Sequence, residues 1–170
     1  MASILKVNEI QHTGGTSALT VDSSGRIGGM NNPSFKAYMN GDQTGFNNSS
    51  TGDVVVIYDD VTSNDGHNIG SHYDIATGKF TAPIDGVYFF TGSVYSAATA
   101  YSQIWLVKNG SRAPGTDFAG VTSNFQTVNA ILKLDANDTV GVHPYMSSGT
   151  STITDNDQHS YFTGCLIFGI

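Results

Sequence analysis

The residues best suited to binding a metal ion are four histidines: His67, His72, His143 and His159. Their spacings match no pattern by which ligands on one strand or one helix converge on zinc. Isolated, exposed imidazoles are therefore favoured, and we predict no metal site within one chain. If identical chains met at a symmetry axis, one imidazole from each could still form a shared site.

Acidic residues cluster at Asp59-Asp60 and in the run Asp155-Asn156-Asp157. Neither cluster has the ordered spacing of an EF-hand, so solvated acidic turns are favoured over a calcium site. Carboxyl pairs for glycoside hydrolysis can be found in any acid-rich chain, and the local signatures of serine and cysteine nucleophiles are missing. We predict that the protein has no catalytic residues, needs no cofactor and is not an enzyme.

Three aromatic residues, Trp105, Tyr101 and Tyr95, could form a platform on which a sugar ring stacks. Trp105 stands between Ile104 and Leu106, however, in an apolar run. Burial in the core is therefore favoured for the indole.

Composition excludes several classes of partner. The chain of 170 residues has a net charge of −7, and its seven Lys and Arg residues are scattered singly, whereas a nucleic-acid surface requires clustered bases. Its longest apolar runs, such as 54–58 and 165–168, are far shorter than the ~20 residues of a spanning helix. We expect neither nucleic-acid binding nor membrane insertion. Cys165 is the single cysteine, so no intrachain disulfide can form.

Short apolar runs separated by Gly, Asn, Asp and Ser predict an all-β protein, folded as a sandwich or jelly roll. No window of helical length carries an apolar stripe at helical spacing. The predicted strands span 35–39, 54–58, 79–81, 86–95, 102–108, 127–134, 139–145 and 161–168. We assign residues 34–170 to this domain.

Residues 1–33 form a separate N-terminal segment in this interpretation. The run 18–27 predicts a hairpin with an Asp-Ser-Ser-Gly turn, whereas the first ten residues suit either a strand or a helical turn. So short a segment buries too little surface to stand alone. We expect it to pack on sister chains or a larger scaffold, in preference to its own domain.

Two strands are apolar on both faces. In 86–95, Tyr88 and Phe90 alternate with Val87 and Phe89; in 161–168, Phe162, Leu166 and Phe168 alternate with Tyr161, Cys165 and Ile167. A sandwich strand needs only one apolar face, so the second face must be covered by a loop or by another subunit. Subunit contact is favoured, and the predicted interface residues are Val87, Phe89, Tyr161, Cys165 and Ile167.

The run Tyr73-Asp74, Thr77-Gly78-Lys79-Phe80-Thr81-Ala82-Pro83 and Gly86-Val87-Tyr88-Phe89-Phe90 resembles the signature of complement C1q-like globular domains. These are trimeric jelly rolls related in fold to tumour necrosis factor. Runs 107–110, 132–140 and 160–167 resemble later motifs of the family, and Asn68 matches its Asn/Asp position. The resemblance implies a core signature of seven residues: Phe80, Gly86, Tyr88, Phe90, Phe162, Gly164 and Leu166.

Three positions depart from the family pattern. Asn137 replaces the usual glycine, Thr62 stands where the family often has Phe, and Gly92 stands where it has Phe or Tyr. The last two remove an aromatic ring each, so we expect different local packing.

The N-terminal run 4–27 resembles a short segment at the start of many marine phage (cyanophage-type) appendage proteins. Together the two resemblances imply a homotrimeric virion fibre or appendage on the particle surface, attached to other virion proteins through residues 1–33. Its knob would bind a host glycan or surface protein through loops 96–100, 111–124 and 147–158. A capsid decoration or head-fibre protein, and a bacterial binding module, remain as alternatives.

Overall fold

The computed structural model describes residues 8–11, 13–15, 17–21, 23–28, 32–46, 54–96, 102–115, 125–146, 151–155 and 159–170. The chain divides into two compact units, Met1–Asn32 and Pro33–Ile170. Over these described ranges, no helix is long and apolar enough to cross a membrane.

The first unit is a three-stranded antiparallel sheet in the order β1-β2-β3, with strands Glu9–Gln11, Ser17–Val21 and Ile27–Gly28. The predicted hairpin is present, because Val21 pairs with Ile27 across the turn. Gly25 has a positive φ of 77°, a backbone conformation that glycine adopts without steric cost. Of the first ten residues, the structure describes 8–10, and Glu9 and Ile10 belong to the strand Glu9–Gln11; the prediction for residues 1–7 lies outside the described residues.

The described residues of the second unit form twelve strands: β4 (Ser34–Tyr38), β5 (Gln43–Phe46), β6 (His67–Ile69), β7 (Tyr73–Asp74), β8 (Lys79–Thr81), β9 (Gly86–Tyr95), β10 (Ser102–Lys108), β11 (Ser111–Arg112), β12 (Phe125–Leu134), β13 (Thr139–Met146), β14 (Ser151–Ile153) and β15 (Tyr161–Gly169). Sheet I has the order β12-β9-β15-β4-β6, and sheet II has the order β11-β10-β13-β8-β7. A short pair, β14-β5, lies beside them. The two sheets pack as a sandwich, which confirms the all-β jelly-roll prediction.

The strand predicted at 54–58 is wrong. These residues lie outside every sheet, although the Val56 N–H donates to the Val142 carbonyl at 2.8 Å. Side chains satisfy the neighbouring backbone groups instead: Gln43 Oε1 accepts from the Ile57 N–H at 3.0 Å, and the Tyr73 hydroxyl donates to the Tyr58 carbonyl at 2.9 Å. An apolar run can therefore be extended and buried without joining a β-ladder.

Aromatic rings fill the space between the two sheets. Phe35 stacks on Tyr73 with ring centroids 4.5 Å apart and meets Phe162 edge-on at 4.9 Å. Phe80 contacts Phe90 at 5.4 Å, so strands of both sheets contribute to one cluster. Such offset and edge-to-face pairs add stability beyond their buried area. The five large side chains of the predicted core signature are all buried here: Phe80, Tyr88, Phe90, Phe162 and Leu166.

Two glycines set how closely these rings and sheets approach. A Cβ on Gly164 would lie 2.7 Å from Phe90 Cε1 and 2.8 Å from Phe35 Cε1. A Cβ on Gly92 would collide with a methyl group of Val142 in sheet II. At Gly92 the missing aromatic ring is thus compensated by close approach of the opposite sheet.

The other departures from the family pattern have local explanations. Thr62 is exposed, and its hydroxyl donates to Asp60 Oδ1 at 2.8 Å, so it leaves no space in the core. Asn137 has a φ of 73°, in the left-handed region that Asn tolerates better than other residues with a side chain. Asn68 bridges two chain segments, because its amide donates to the Tyr73 carbonyl at 2.7 Å and its oxygen accepts the Tyr73 N–H at 3.2 Å.

Candidate functional site

The face of sheet I that points away from the core carries apolar side chains that are partly exposed among the described residues; we call it the outward face. Phe89 on β9 is paired with Ile131 on β12 and with Cys165 on β15. Because cross-strand partners share a face, these three side chains form one row. Phe89 is 37% exposed and Ile131 is 65% exposed. This row is the centre of the candidate assembly surface.

A β-bulge extends the apolar surface toward the C-terminus. Leu166 pairs with Tyr88 and Phe168 pairs with Val87, so Ile167 is an extra residue without a partner in the ladder. The extra residue reverses the alternation, and Phe168 is 54% exposed. The sequence pattern had placed Phe168 with Phe162 and Leu166, and that interpretation is wrong.

The predicted interface residues all lie on β9 and β15, which are adjacent in sheet I. Phe89 and Ile167 are exposed, while Val87, Tyr161 and Cys165 are half-buried. Their contact with a second chain stays a prediction. Sequence reasoning missed Ile131 and Phe168, although the consecutive apolar residues Ala130, Ile131 and Leu132 were a signal that β12 is also apolar on both faces.

A polar row crosses the middle of the outward face. Asn129, Thr91, Thr163 and Lys36 occupy successive paired positions on β12, β9, β15 and β4. Lys36 Nζ lies 2.7 Å from Asp65 Oδ2, and the Tyr38 hydroxyl donates to the same carboxylate. The hydrogen bond from Lys36 has the largest effect and that from Tyr38 the next largest, and together they lower the pKa of Asp65 to about 2. The edge of the face is therefore charged, which limits the apolar area.

Aromatic groups reappear at the other end of the outward face. The His159 imidazole lies between Tyr95 and Phe125, with centroid distances of 5.8 and 5.4 Å. Phe125 is 44% exposed. The face thus has an apolar end, a polar middle and an aromatic end, an arrangement suited to contact with protein rather than to catalysis.

The predicted metal and acid candidates are placed elsewhere. His67 is on β6, His72 contacts the Phe80 ring edge-on at 6.5 Å, and His143 is buried on β13. In the described parts of the chain, no three His, Cys, Asp or Glu side chains are grouped so that they could hold a metal ion.

The carboxylates instead stabilise turns. Asp60 Oδ1 accepts from the Thr62 N–H at 2.8 Å and from the Ser63 N–H at 3.0 Å, and the hydrogen bonds from this turn hold its pKa well below the ordinary value. Asp59 Oδ1 accepts the Asn40 N–H at 2.9 Å. Of the run 155–157, the structure describes only Asp155, whose N–H donates to Asp42 at 2.7 Å.

The sugar platform considered from the sequence is not assembled by the described residues. Trp105 is on β10 in sheet II, Tyr95 is on β9 in sheet I, and Tyr101 lies outside the described residues. Trp105 is buried, but it lies outside the core cluster, on the side of its strand opposite to Ile104 and Leu106, so the expected burial in the core is wrong. There it stacks on His143 at 4.7 Å, and Arg112 lies 4.4 Å from its ring centroid.

The loops predicted to bind a host ligand fall largely outside the described residues. These undescribed stretches are 97–101, 116–124, 147–150 and 156–158. Ligand recognition by those loops therefore stays a prediction.

Comparisons with known proteins identify the domain. The C1q domain family matches residues 37–167. Human "Complement C1q and tumor necrosis factor-related protein 9B" is 35% identical over 123 residues, which cover 68% of this chain and 34% of that protein. Mouse "Complement C1q tumor necrosis factor-related protein 3" is 31% identical over 140 residues, covering 78% of this chain and 51% of that protein. This chain thus spans about a third to a half of the length of these relatives.

The fold agrees with this assignment. The structure of Eiger TNF from S. frugiperda matches with a TM-score of 0.53 at 12% identity, covering 82% of this chain and 94% of that one. The chain belongs to the C1q domain family. C1q/TNF-like domains typically form homotrimers, and the C1q/TNF-domain relatives are non-enzymatic.

Proposed function

We propose that this member of the C1q domain family is a homotrimeric virion protein, a fibre or appendage whose knob binds a host-surface ligand. The observation that carries the assembly is the uncovered apolar row of Phe89, Ile131 and Cys165 with the neighbouring Ile167 and Phe168. An apolar face of this kind on a single chain is covered in solution by another protein surface. Three copies related by rotation would cover it mutually.

The virion setting is supported by the N-terminal resemblance to phage appendage proteins, and by the low content of charged residues, 12%. In this proposal residues 1–33 bind other virion proteins, and the protein is carried on the particle surface. Three weak ligand sites on one trimer would bind a host glycan or surface protein through avidity. The protein performs no catalysis in this role.

The assembly is tested by replacing an apolar residue of the outward face with a charged one. Light scattering of the purified full chain should give about three times 17.9 kDa. We expect Phe89→Asp to reduce this mass toward that of one chain while the strand signal in circular dichroism persists. Asn129→Asp introduces the same charge in the polar row of the same face and should assemble normally. A folded wild-type monomer at micromolar concentration would contradict the proposal.

The virion role is tested on particles. Antibody labelling or reconstruction should place the protein at the tail or at a fibre, and soluble trimer should compete with particles for host cells. Density on the capsid shell without such competition would favour the decoration or head-fibre alternative. Absence from particles would favour a bacterial binding module.

A further inference from the structure

The small N-terminal sheet has one apolar face and one polar face. Ile10 pairs with Leu19, and Val21 pairs with Ile27. Leu19 and Val21 are two residues apart on β2, so both pairs lie on the same side of the sheet. Glu9 pairs with Thr20 on the opposite side. Four aliphatic side chains thus share one face of the three strands.

This apolar face is not covered within its own sheet. Ile27 is 62% exposed and Ile10 is 49% exposed. A sheet whose apolar face remains in water gains little of the hydrophobic stabilisation that folding requires, so a second layer must cover it. The described residues of the unit form three short strands in one layer, and none of these strands lies over the apolar face.

The point at which the chain enters the knob favours sister chains as that layer. The Pro33 carbonyl accepts the Leu166 N–H at 2.9 Å, and Ser34 pairs with Cys165. The knob therefore begins beside β15, the strand that carries Cys165 and Ile167 of the proposed interface. Three chains joined through their outward faces would bring three such entry points onto one assembly.

The connection between the two units is short. Five residue steps from Gly28 to Pro33 span at most roughly 18 Å. Each N-terminal sheet would then be held near its two sisters at an effective concentration on the order of millimolar. At such a concentration even a weak apolar contact between identical sheets is populated.

We propose that the apolar faces of three N-terminal sheets, formed by Ile10, Leu19, Val21 and Ile27, pack against one another when three chains assemble. The inference rests on the proposed trimeric function. The N-terminal segment is then a second assembly module, and its polar face, with Glu9 and Thr20, is the surface left free for other virion proteins. The occupant of the apolar face is a second copy of this chain.

Cysteine cross-linking tests this packing with matched positions on the two faces. In the chain that keeps Cys165, Ile10→Cys and Leu19→Cys place a thiol on the apolar face, while Glu9→Cys and Thr20→Cys place it on the polar face one residue away. The wild-type chain gives the background of cross-links through Cys165 alone. The full-length variants are treated with a short bis-maleimide and separated on a denaturing gel. We expect cross-links between chains in the variants with a thiol on the apolar face. Variants with a thiol on the polar face should give no cross-links beyond the background.

Light scattering of the same untreated samples separates the two proposals. A monomeric mass refutes the trimer itself. A trimeric mass without cross-links at Ile10 and Leu19 overturns the N-terminal packing, and so do equal yields from both faces. If one variant of a pair fails to fold, the other pair provides the same comparison on a different strand.

Discussion

Sheet I has an inner face, which points into the core, and the outward face. The same strands form both faces, but the two faces differ in how much of their apolar surface is buried. On β9, Tyr88 and Phe90 are fully buried by rings from both sheets, whereas their neighbours Val87 and Phe89 remain partly open to solvent. The inner face is complete within one chain. The outward face is apolar but partly exposed among the described residues, so the strand that supplies core residues also supplies the candidate assembly surface.

The largest expected effect comes from truncating the inner face. Phe90→Ala removes a ring that contacts Phe35, Phe80 and Phe162, and should lower the free energy of unfolding by ~3–5 kcal/mol. Phe89→Ala, one residue away, should weaken assembly while chain folding is largely retained. Denaturant unfolding at a fixed chain concentration measures the loss of unfolding free energy, and light scattering of the same samples measures the loss of assembly. Equal loss of unfolding free energy in both variants would remove the contrast between the faces.

A smaller effect is expected from adding a single methyl group to the inner face. Gly164→Ala forces a Cβ against the rings of Phe90 and Phe35, and overpacking of this kind costs about 1–3 kcal/mol. Gly169→Ala on the same strand is the control, because its nearest neighbour is the flexible end of Ile84 at 3.2 Å. In thermal unfolding, wild type and G169A should have similar Tm values, and G164A should have the lowest Tm. The reverse order would mean that the rings readjust freely.

Much of the inner face could be predicted from the sequence, because it follows local rules. Alternation along 86–95 separates Tyr88 and Phe90 from Val87 and Phe89, and the structure has β9 at the same bounds. The aromatic cluster around Phe35 was harder to predict from the sequence, because it depends on which strands of the two sheets face each other. Those contacts are set by the topology of the whole unit and not by spacing along one strand.

The outward face was only partly predictable. Phe168 was misplaced because a bulge shifts alternation without a distinctive residue to mark it. Trp105 was expected in the core, but it lies on the side of its strand opposite to Ile104 and Leu106. A run in which every residue is apolar does not show which side of the strand faces the core. The run 54–58 has the composition of a strand, but the Ile57 N–H and the Tyr58 carbonyl form hydrogen bonds with the side chains of Gln43 and Tyr73 instead of with a neighbouring strand. Each error arises where a distant contact overrides a local pattern.

The thiol of Cys165 gives a direct measure of whether the outward face is covered. Within one chain it is half-buried and lies beside Phe89. We expect slow maleimide labelling of the wild-type assembly and faster labelling of folded Phe89→Asp, with Asn129→Asp remaining slow. Labelling rates read by mass spectrometry would show this difference. Equal rates in all three proteins would mean that no subunit covers the row.

The smallest expected effect concerns the charged edge of the outward face. Asp65 has its pKa lowered from 3.8 to about 2 by hydrogen bonds from Lys36 and Tyr38. A lowered pKa in the folded state means that the interaction stabilises the protein fully above pH 3.8 and is lost as the pH falls toward 2. Asp65 is exposed, so the contribution is small. Unfolding of wild type and Asp65→Asn should therefore differ slightly at neutral pH and converge in this acidic window. If the difference between wild type and Asp65→Asn persisted below pH 2, the ion pair would not be its cause, and the polar edge would owe its stability to packing of Tyr38 alone.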